Sequence, residues 1–191
     1  MAAGARTVYY AAMSLDGLIA DLDENLDWLT KFDGPGYAGE AESEGPMESS
    51  YKRFYDGVGA LVMGSKTYEF IVPFDWMYGD TPTWVLTSRE LPVIEGPSGL
   101  RFSSGSVAEL HDEVMEAAGG KDLWVVGGGN VATQYVEAGL LDVLQVTIVP
   151  VVLGEGLPLF AGPVPPLKLI EMTPYGNGMA ELTYELSGAA A

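Results

Sequence analysis

The sequence predicts an α/β fold: a mixed, mostly parallel sheet flanked by helices and closed by a C-terminal β-hairpin. Three observations carry this. Short apolar runs alternate with helix-period segments along most of the chain, which is the pattern of βα units. Val143 to Val149 is almost continuously apolar, as expected of a strand covered on both faces. Two apolar runs, ending near Met63 and Val126, break into glycine and then into a helix start. The chain of 191 residues reads as one domain, residues 1–191, without an internal repeat or a dividing linker.

Arg6 to Met13 is rich in β-branched and aromatic residues and predicts a first strand. Ser14-Leu15-Asp16-Gly17 follows as a turn, and Asp21 to Asp27 as a polar loop. Gly34 to Pro46 is rich in Gly, Pro and Glu and is a candidate lid. Glu48 to Asp56 places Tyr51, Phe54 and Tyr55 at helical spacing. Gly59 to Met63 reads as a buried strand, and Gly64-Ser65 opens a helix through Ile71. Thr83 to Thr87 and Leu100 to Ser103 are further strands. Ser106 caps a helix to Ala118 with Val107, Leu110, Val114 and Ala117 on one face, and Gly119-Gly120 ends it. Leu123 to Val126 is a strand, a helix starts at Val131, and Gly139 closes it. Beyond the Val143 to Val149 strand, Leu153 to Pro166 is a Gly/Pro loop. Leu167 to Thr173 and Met179 to Leu186 then form a hairpin around Tyr175 to Gly178, before a frayed tail from Ser187.

Composition excludes several kinds of chemistry. There is no cysteine and a single histidine, His111, so disulfides, thiolate metal sites, cysteine nucleophiles and multi-histidine metal centres are ruled out. The formal net charge of −18, from 27 acidic and 9 basic residues, repels nucleic acid and anionic membranes. No run is long enough to span a membrane, and the N-terminus lacks an apolar signal core, so a cytoplasmic protein is expected. An anionic ligand can bind such a chain only where scarce cations and backbone N–H groups gather.

Three strand ends gather them. Gly64, Ser65, Lys66 and Thr67 stand at a helix start, where N–H and hydroxyl donors suit a pyrophosphate. Thr87, Ser88 and Arg89 follow a strand, and a guanidinium beside hydroxyls suits a phosphate monoester. Gly127, Gly128, Gly129 and Asn130 let a backbone approach a phosphate closely. Gly127, Gly129 and Ala132 even fit G-x-G-x-x-G/A, but that fingerprint belongs on a first βα unit, and here mostly strands follow. The plainer reading of each feature alone is a tight packing turn, ordinary helix caps and a solvated surface arginine.

At these residues the sequence resembles the dihydrofolate-reductase-like superfamily, and within it the stand-alone relatives of the C-terminal reductase domain of bifunctional riboflavin-biosynthesis proteins (the RibD C-terminal domain). The resemblance runs through Ser14–Ala20, Val62–Glu69, Val85–Glu90, Trp124–Asp142 and Val146–Phe160. Pro150, Gly154 and Gly156 favour the riboflavin-type branch. It implies a dihydrofolate-reductase-like fold and a reductase using NADPH on a pterin-, folate- or ribityl-pyrimidine-like molecule. By that resemblance Gly64, Ser65, Lys66 and Thr67 contact the cofactor phosphates, and Thr87, Ser88 and Arg89 hold the 2′-phosphate side. Gly127 to Asn130 lie under the pyrophosphate and nicotinamide half, and Ala11, Ala12 and Ile19 line the nicotinamide. Ser65 stands where many dihydrofolate reductases carry arginine, and the deaminase half of the bifunctional proteins is absent.

Hydride transfer also needs a proton source. Asp16, at the end of the first strand, is the first candidate, and Asp27 the second. Trp28, Tyr37, Phe74 and Trp76 are candidate aromatic walls, with core packing as the plainer reading, and His111 reads as a surface residue beside Glu109, Asp112 and Glu113. The apolar stretch Val143 to Val152, with Leu157, Leu159 and Phe160, predicts a homodimer, as the resemblance also implies. The alternative function is a module of the same fold that binds a nucleotide, flavin or pterin without turnover.

Overall fold

The structure is a computed structural model and describes residues 4–32, 46–74 and 76–186. Most of the candidate lid at 34–46, Tyr37 and the tail at 187–191 lie outside the described residues. The elements run β1 (Thr7–Ser14), β2 (Leu18–Ala20), α1 (Asp27–Thr30), α2 (Pro46–Asp56), β3 (Val58–Gly64), α3 (Ser65–Ile71), β4 (Thr83–Leu86) and β5 (Leu100–Ser103). They continue with α4 (Val107–Ala117), β6 (Asp122–Gly127), α5 (Gly129–Glu137), β7 (Val143–Val149), β8 (Leu157–Pro158), β9 (Leu167–Pro174) and β10 (Ala180–Leu186).

Eight strands form one sheet in the order β5-β4-β3-β6-β1-β7-β10-β9. Strands β5 through β7 in that order are all parallel. β10 pairs antiparallel with both β7 and β9, which is the expected terminal hairpin. The mixed, mostly parallel sheet of the sequence reading is therefore the observed one. α4 and α5 cover one face, where Tyr9, Val62, Val125 and Val146 meet Val114, Val131 and Tyr135. α2 and α3 cover the other, where Tyr10, Leu61, Met63 and Trp124 meet Phe54 and Tyr68. Neighbouring residues of β1 and β6 thus serve opposite cores, as the period of two requires.

The helix over 107–117 has the predicted cap: the Ser106 side chain accepts from the Glu109 N–H while Glu109 returns a bond to the Ser106 N–H. Three local readings change. The polar loop ends in the single turn α1, which starts at its last residue Asp27, and β2 pairs with β8, which lies inside the stretch read as a Gly/Pro loop. Such short elements carry too little periodicity to be read from sequence. α5 starts at Gly129, two residues before the expected Val131. Gly129 is there because of close packing: a Cβ at this position would stand 2.4 Å from the Pro158 carbonyl oxygen.

The apolar stretch thought to drive dimerisation is mostly core. Val143, Leu144, Val146 and Val149 are buried in the fold, as is Leu159, and Phe160 packs edge-on against Tyr9, while Val152 and Leu157 are exposed. No helix among the described residues is long and apolar enough to cross a membrane.

Candidate functional site

The topology brings the three glycine- and hydroxyl-bearing strand ends side by side. β4, β3, β6 and β1 are consecutive parallel neighbours, so their C-terminal ends share one edge of the sheet. Gly64 pairs with Leu86, one residue before Thr87, and Met63 pairs with Gly127. Such an edge, where connections leave in opposite directions, is where open α/β sheets bind ligands.

Within this edge the glycines have different jobs. Gly127 has φ +142, a conformation that side chains rarely adopt, and its peptide bond to Gly128 is cis. A Cβ at Gly128 would meet only Ile19 Cδ1 and Thr67 Oγ1, both at 3.9 Å. A Cβ at Gly64 would stand 3.2 Å from Val131 Cγ2 and 3.8 Å from the Gly128 nitrogen. Gly64, Thr67, Gly127, Gly128 and Ile19 are thus one cluster, and a Cβ at Gly128 would make only ordinary contacts with the described residues. Gly128 is also the N-cap of α5, whose first-turn N–H groups lack helical partners. Gly129 beside it is a packing glycine. Asn130 is exposed and its side chain accepts from Gln134 Nε2 at 2.7 Å.

The cations of the edge are present but already paired. Arg89 grips Glu69 with both nitrogens, at 3.1 and 2.6 Å. Each holds the other in its charged form: the pairing lowers the Glu69 carboxyl and raises the Arg89 guanidinium. Lys66 Nζ lies 2.6 Å from Glu24, a residue held at φ +61. Thr87 Oγ1 accepts from the Arg89 N–H at 3.0 Å, so it shapes the turn that presents the arginine. A phosphate arriving here must displace carboxylates, a competition that sequence alone did not show. Ser65, Thr67 and Ser88 make no side-chain hydrogen bond among the described residues. Ala12 faces the α2 side of the sheet, whereas Ala11 packs toward the core under α4 and α5.

Both predicted proton donors are engaged in other hydrogen bonds. Asp16 Oδ1 accepts from Ser14 Oγ at 2.6 Å and the Leu153 N–H at 3.1 Å, and Oδ2 accepts from the Gly154 N–H at 2.8 Å. The Ser14 hydroxyl first, then these backbone donors, pull its pKa down to about 2. Asp16 is an ionised clasp between the β1 turn and the loop after β7. Asp27 is exposed and bound to Lys31 at 2.6 Å, one helical turn on, which lowers its pKa as well.

The aromatic candidates divide. Trp28 packs with Val149 and Tyr175, and Trp76 packs edge-on to Tyr78 and donates to the Gly79 carbonyl. Phe74 is 61% exposed and touches Phe70. His111 is not a free surface residue: it lies edge-on to Tyr135, its Nδ1 is buried without a partner among the described residues, and burial lowers its pKa.

Sequence reasoning missed a second polar region, on the α2 side of the sheet. Glu181 of β10 is only 7% exposed. Its Oε1 accepts from Ser50 Oγ at 2.9 Å and Gln145 Nε2 at 3.0 Å. Its partners come from α2, β1 and β7, so no local motif announces them.

Comparison with known proteins agrees with the geometry. The family model of the RibD C-terminal domain matches residues 7–180. The uncharacterized protein YwjB of Bacillus subtilis is 30% identical over 157 residues, covering 81% of this chain and 82% of that protein. A putative riboflavin biosynthesis protein from Shewanella sp. PV-4 superposes with a TM-score of 0.74 at 26% identity, covering 95% of this chain and 99% of the other. Dihydrofolate reductase from Enterococcus faecalis, solved with NADP(H), shares the fold at a TM-score of 0.61 and 16% identity, over 97% and 99% of the two chains.

Proposed function

The chain belongs to the RibD C-terminal domain family, and we propose on that premise that it is an NADPH-dependent reductase. Its substrate is a small pterin-, folate- or ribityl-pyrimidine-like molecule reduced at a C=N, C=C or C=O bond. One observation carries the reading: the gathering of Gly64, Thr67, Gly127, Gly128 and Ile19 at the shared edge of β4, β3 and β6, with no described atom nearer than 3.9 Å to a Cβ at Gly128. That cradle fits a dinucleotide, because backbone without Cβ atoms and the α5 N-terminus face it.

When bound, NADPH supplies the hydride. The chain's own residues bind and orient. Gly64, Ser65, Lys66 and Thr67 hold the pyrophosphate from one side, and Gly127, Gly128 and the first turn of α5 from the other. Thr87, Ser88 and Arg89 take the 2′-phosphate, with Arg89 turning from Glu69 to do so. Ala12 and Ile19 seat the nicotinamide. Asp16 fixes the loop after β7 beside this seat. Since Asp16 and Asp27 are both held ionised, the proton reaches the substrate from water.

We also propose a homodimer. Leu169, Ile170 and Met172 of the edge strand β9 are exposed at 50%, 49% and 61%, an apolar edge that a second copy would cover. The test of function is NADPH oxidation against a panel of pterins, folates and ribityl-pyrimidines. Saturable NADPH binding with no oxidation of it by any of these compounds would leave a binding module.

A further inference from the structure

The loop over residues 87–99 joins β4 to β5 and carries Arg89. It has no regular structure, and Glu90, Pro92, Val93, Glu95 and Gly96 are exposed. Its two ends are fixed. The Thr87 N–H donates to the Ser103 carbonyl at 2.8 Å. Ser98 donates to Asp80 Oδ1 twice, from its N–H at 3.0 Å and from its hydroxyl at 2.8 Å. Between these ends, among the described residues, the hydrogen bonds that tie the loop to the rest of the protein come from two consecutive residues of α3, Tyr68 and Glu69.

Glu69 holds the Arg89 guanidinium. Tyr68 holds the backbone farther on: its hydroxyl donates to the Pro92 carbonyl at 2.6 Å and accepts from the Ile94 N–H at 3.3 Å. The ring behind this hydroxyl is locked. Tyr68 is fully buried and packs edge-on against Phe102 of β5, with ring centroids 5.2 Å apart. One hydroxyl shared by two backbone groups is a directional tie. Leu91 of the loop also packs against this core, but apolar contact fixes no direction. The two ties differ once a phosphate is bound. When Arg89 turns from Glu69 to a 2′-phosphate, the Glu69 tie is broken, and the Tyr68 hydroxyl is left to hold the middle of the loop. NADH has no 2′-phosphate, so with NADH Arg89 keeps Glu69 and both ties remain.

We propose that Tyr68 is a positioning residue for cofactor choice: its hydroxyl places the loop that presents Arg89 to the 2′-phosphate, and so sets the preference for NADPH over NADH. Tyr68 acts through Arg89 and not by touching the cofactor. The proposal rests on the reductase reading and on its placement of the 2′-phosphate. A guanidinium makes its two parallel bonds to a phosphate only from a fixed position. An arginine on a loose loop loses part of that gain to the ordering of the loop.

The test is a double-mutant cycle of Tyr68→Phe with Arg89→Ala, read by fluorescence titration with NADPH and with NADH. Phenylalanine keeps the buried ring and removes only the hydroxyl. Pro92 is exposed and Ile94 half-buried, so water can reach the freed backbone groups, and the melting temperature should stay near wild type. Tyr68→Phe should weaken NADPH about fivefold, the size of one neutral hydrogen bond, and leave NADH unchanged. In the Arg89→Ala chain the same substitution should change neither affinity, because the residue it acts through is gone. With NADPH bound, the Ile94 amide hydrogen should exchange faster in Tyr68→Phe than in wild type, which reads the tie itself. Equal weakening of both cofactors, or the same loss of NADPH affinity in the Arg89→Ala chain, overturns the proposal, because a merely structural role would produce either. A wild-type preference for NADPH that Tyr68→Phe leaves intact overturns this proposal alone. A wild-type chain that binds no NADPH, or binds NADPH and NADH alike, overturns the reading of the 2′-phosphate site and this proposal with it.

Discussion

The two polar regions of this molecule are assembled in opposite ways. At the ends of β4, β3 and β6 the polar groups are backbone atoms and exposed ion pairs, Arg89 with Glu69 and Lys66 with Glu24. Under α2 they are side chains taken from water, centred on Glu181. The first region tolerates rearrangement at small cost, because exposed pairs are weak and exchange readily for another anion. The second is expensive to disturb, because its groups have been desolvated. A chain with net charge −18 thus keeps the cations at these strand ends occupied by its own carboxylates.

The comparison can be broken first at the glycines. Gly128→Val should abolish NADPH binding, by at least about a hundredfold, while the melting temperature stays near wild type, since a Cβ there would make only ordinary contacts with the described residues. Gly129→Ala should do the reverse. Its Cβ has no room beside Pro158 and Leu159, so stability should fall by about 1–3 kcal/mol, read by urea unfolding. If both variants lose stability alike, the glycine run is only a packing turn.

The next effect concerns the paired cations. Arg89→Ala should weaken NADPH about tenfold and leave NADH unchanged, as expected for one charged hydrogen bond to a phosphate. Glu69→Gln should act in the opposite direction, tightening NADPH by removing the competitor that holds Arg89. Fluorescence titration of both cofactors checks each variant. Unchanged NADPH affinity in Arg89→Ala would assign that pair to the surface alone.

The smallest effect is expected at Asp16. Its folded pKa of about 2 lies below its ordinary 3.8, so its bonds stabilise the fold above pH 3.8 and are lost as pH falls toward 2. Asp16→Asn should therefore lower the melting temperature at neutral pH, with the gap to wild type closing across that acid window. A pH-independent gap would mean that packing, not the charge, is what the substitution removes.

The same contrast explains what could be read in advance. The strands at Leu100–Ser103 and Val143–Val149, the cap at Ser106 and the closing hairpin announce themselves through local residues, and the structure has them there. The shared edge of β4, β3 and β6 was legible because glycines and hydroxyls cluster at strand ends within a few positions of sequence. Glu181 was not, because Ser50 lies 131 positions from it and Gln145 36. Asp16 was legible as a turn residue bonded to nearby Ser14, but its partners Leu153 and Gly154, which clasp it to the loop after β7, arrive from 137 and 138 positions away. Periodicity reports which face a residue takes, and not which distant donors will meet it there.

The most direct test of the central claim is a calorimetric titration of the wild-type chain with NADPH and, in parallel, NADH. The account predicts saturable binding of NADPH with one site per chain, tighter than NADH and weakened by rising salt. Equal affinity for the two cofactors, or no saturable binding of NADPH, would contradict it.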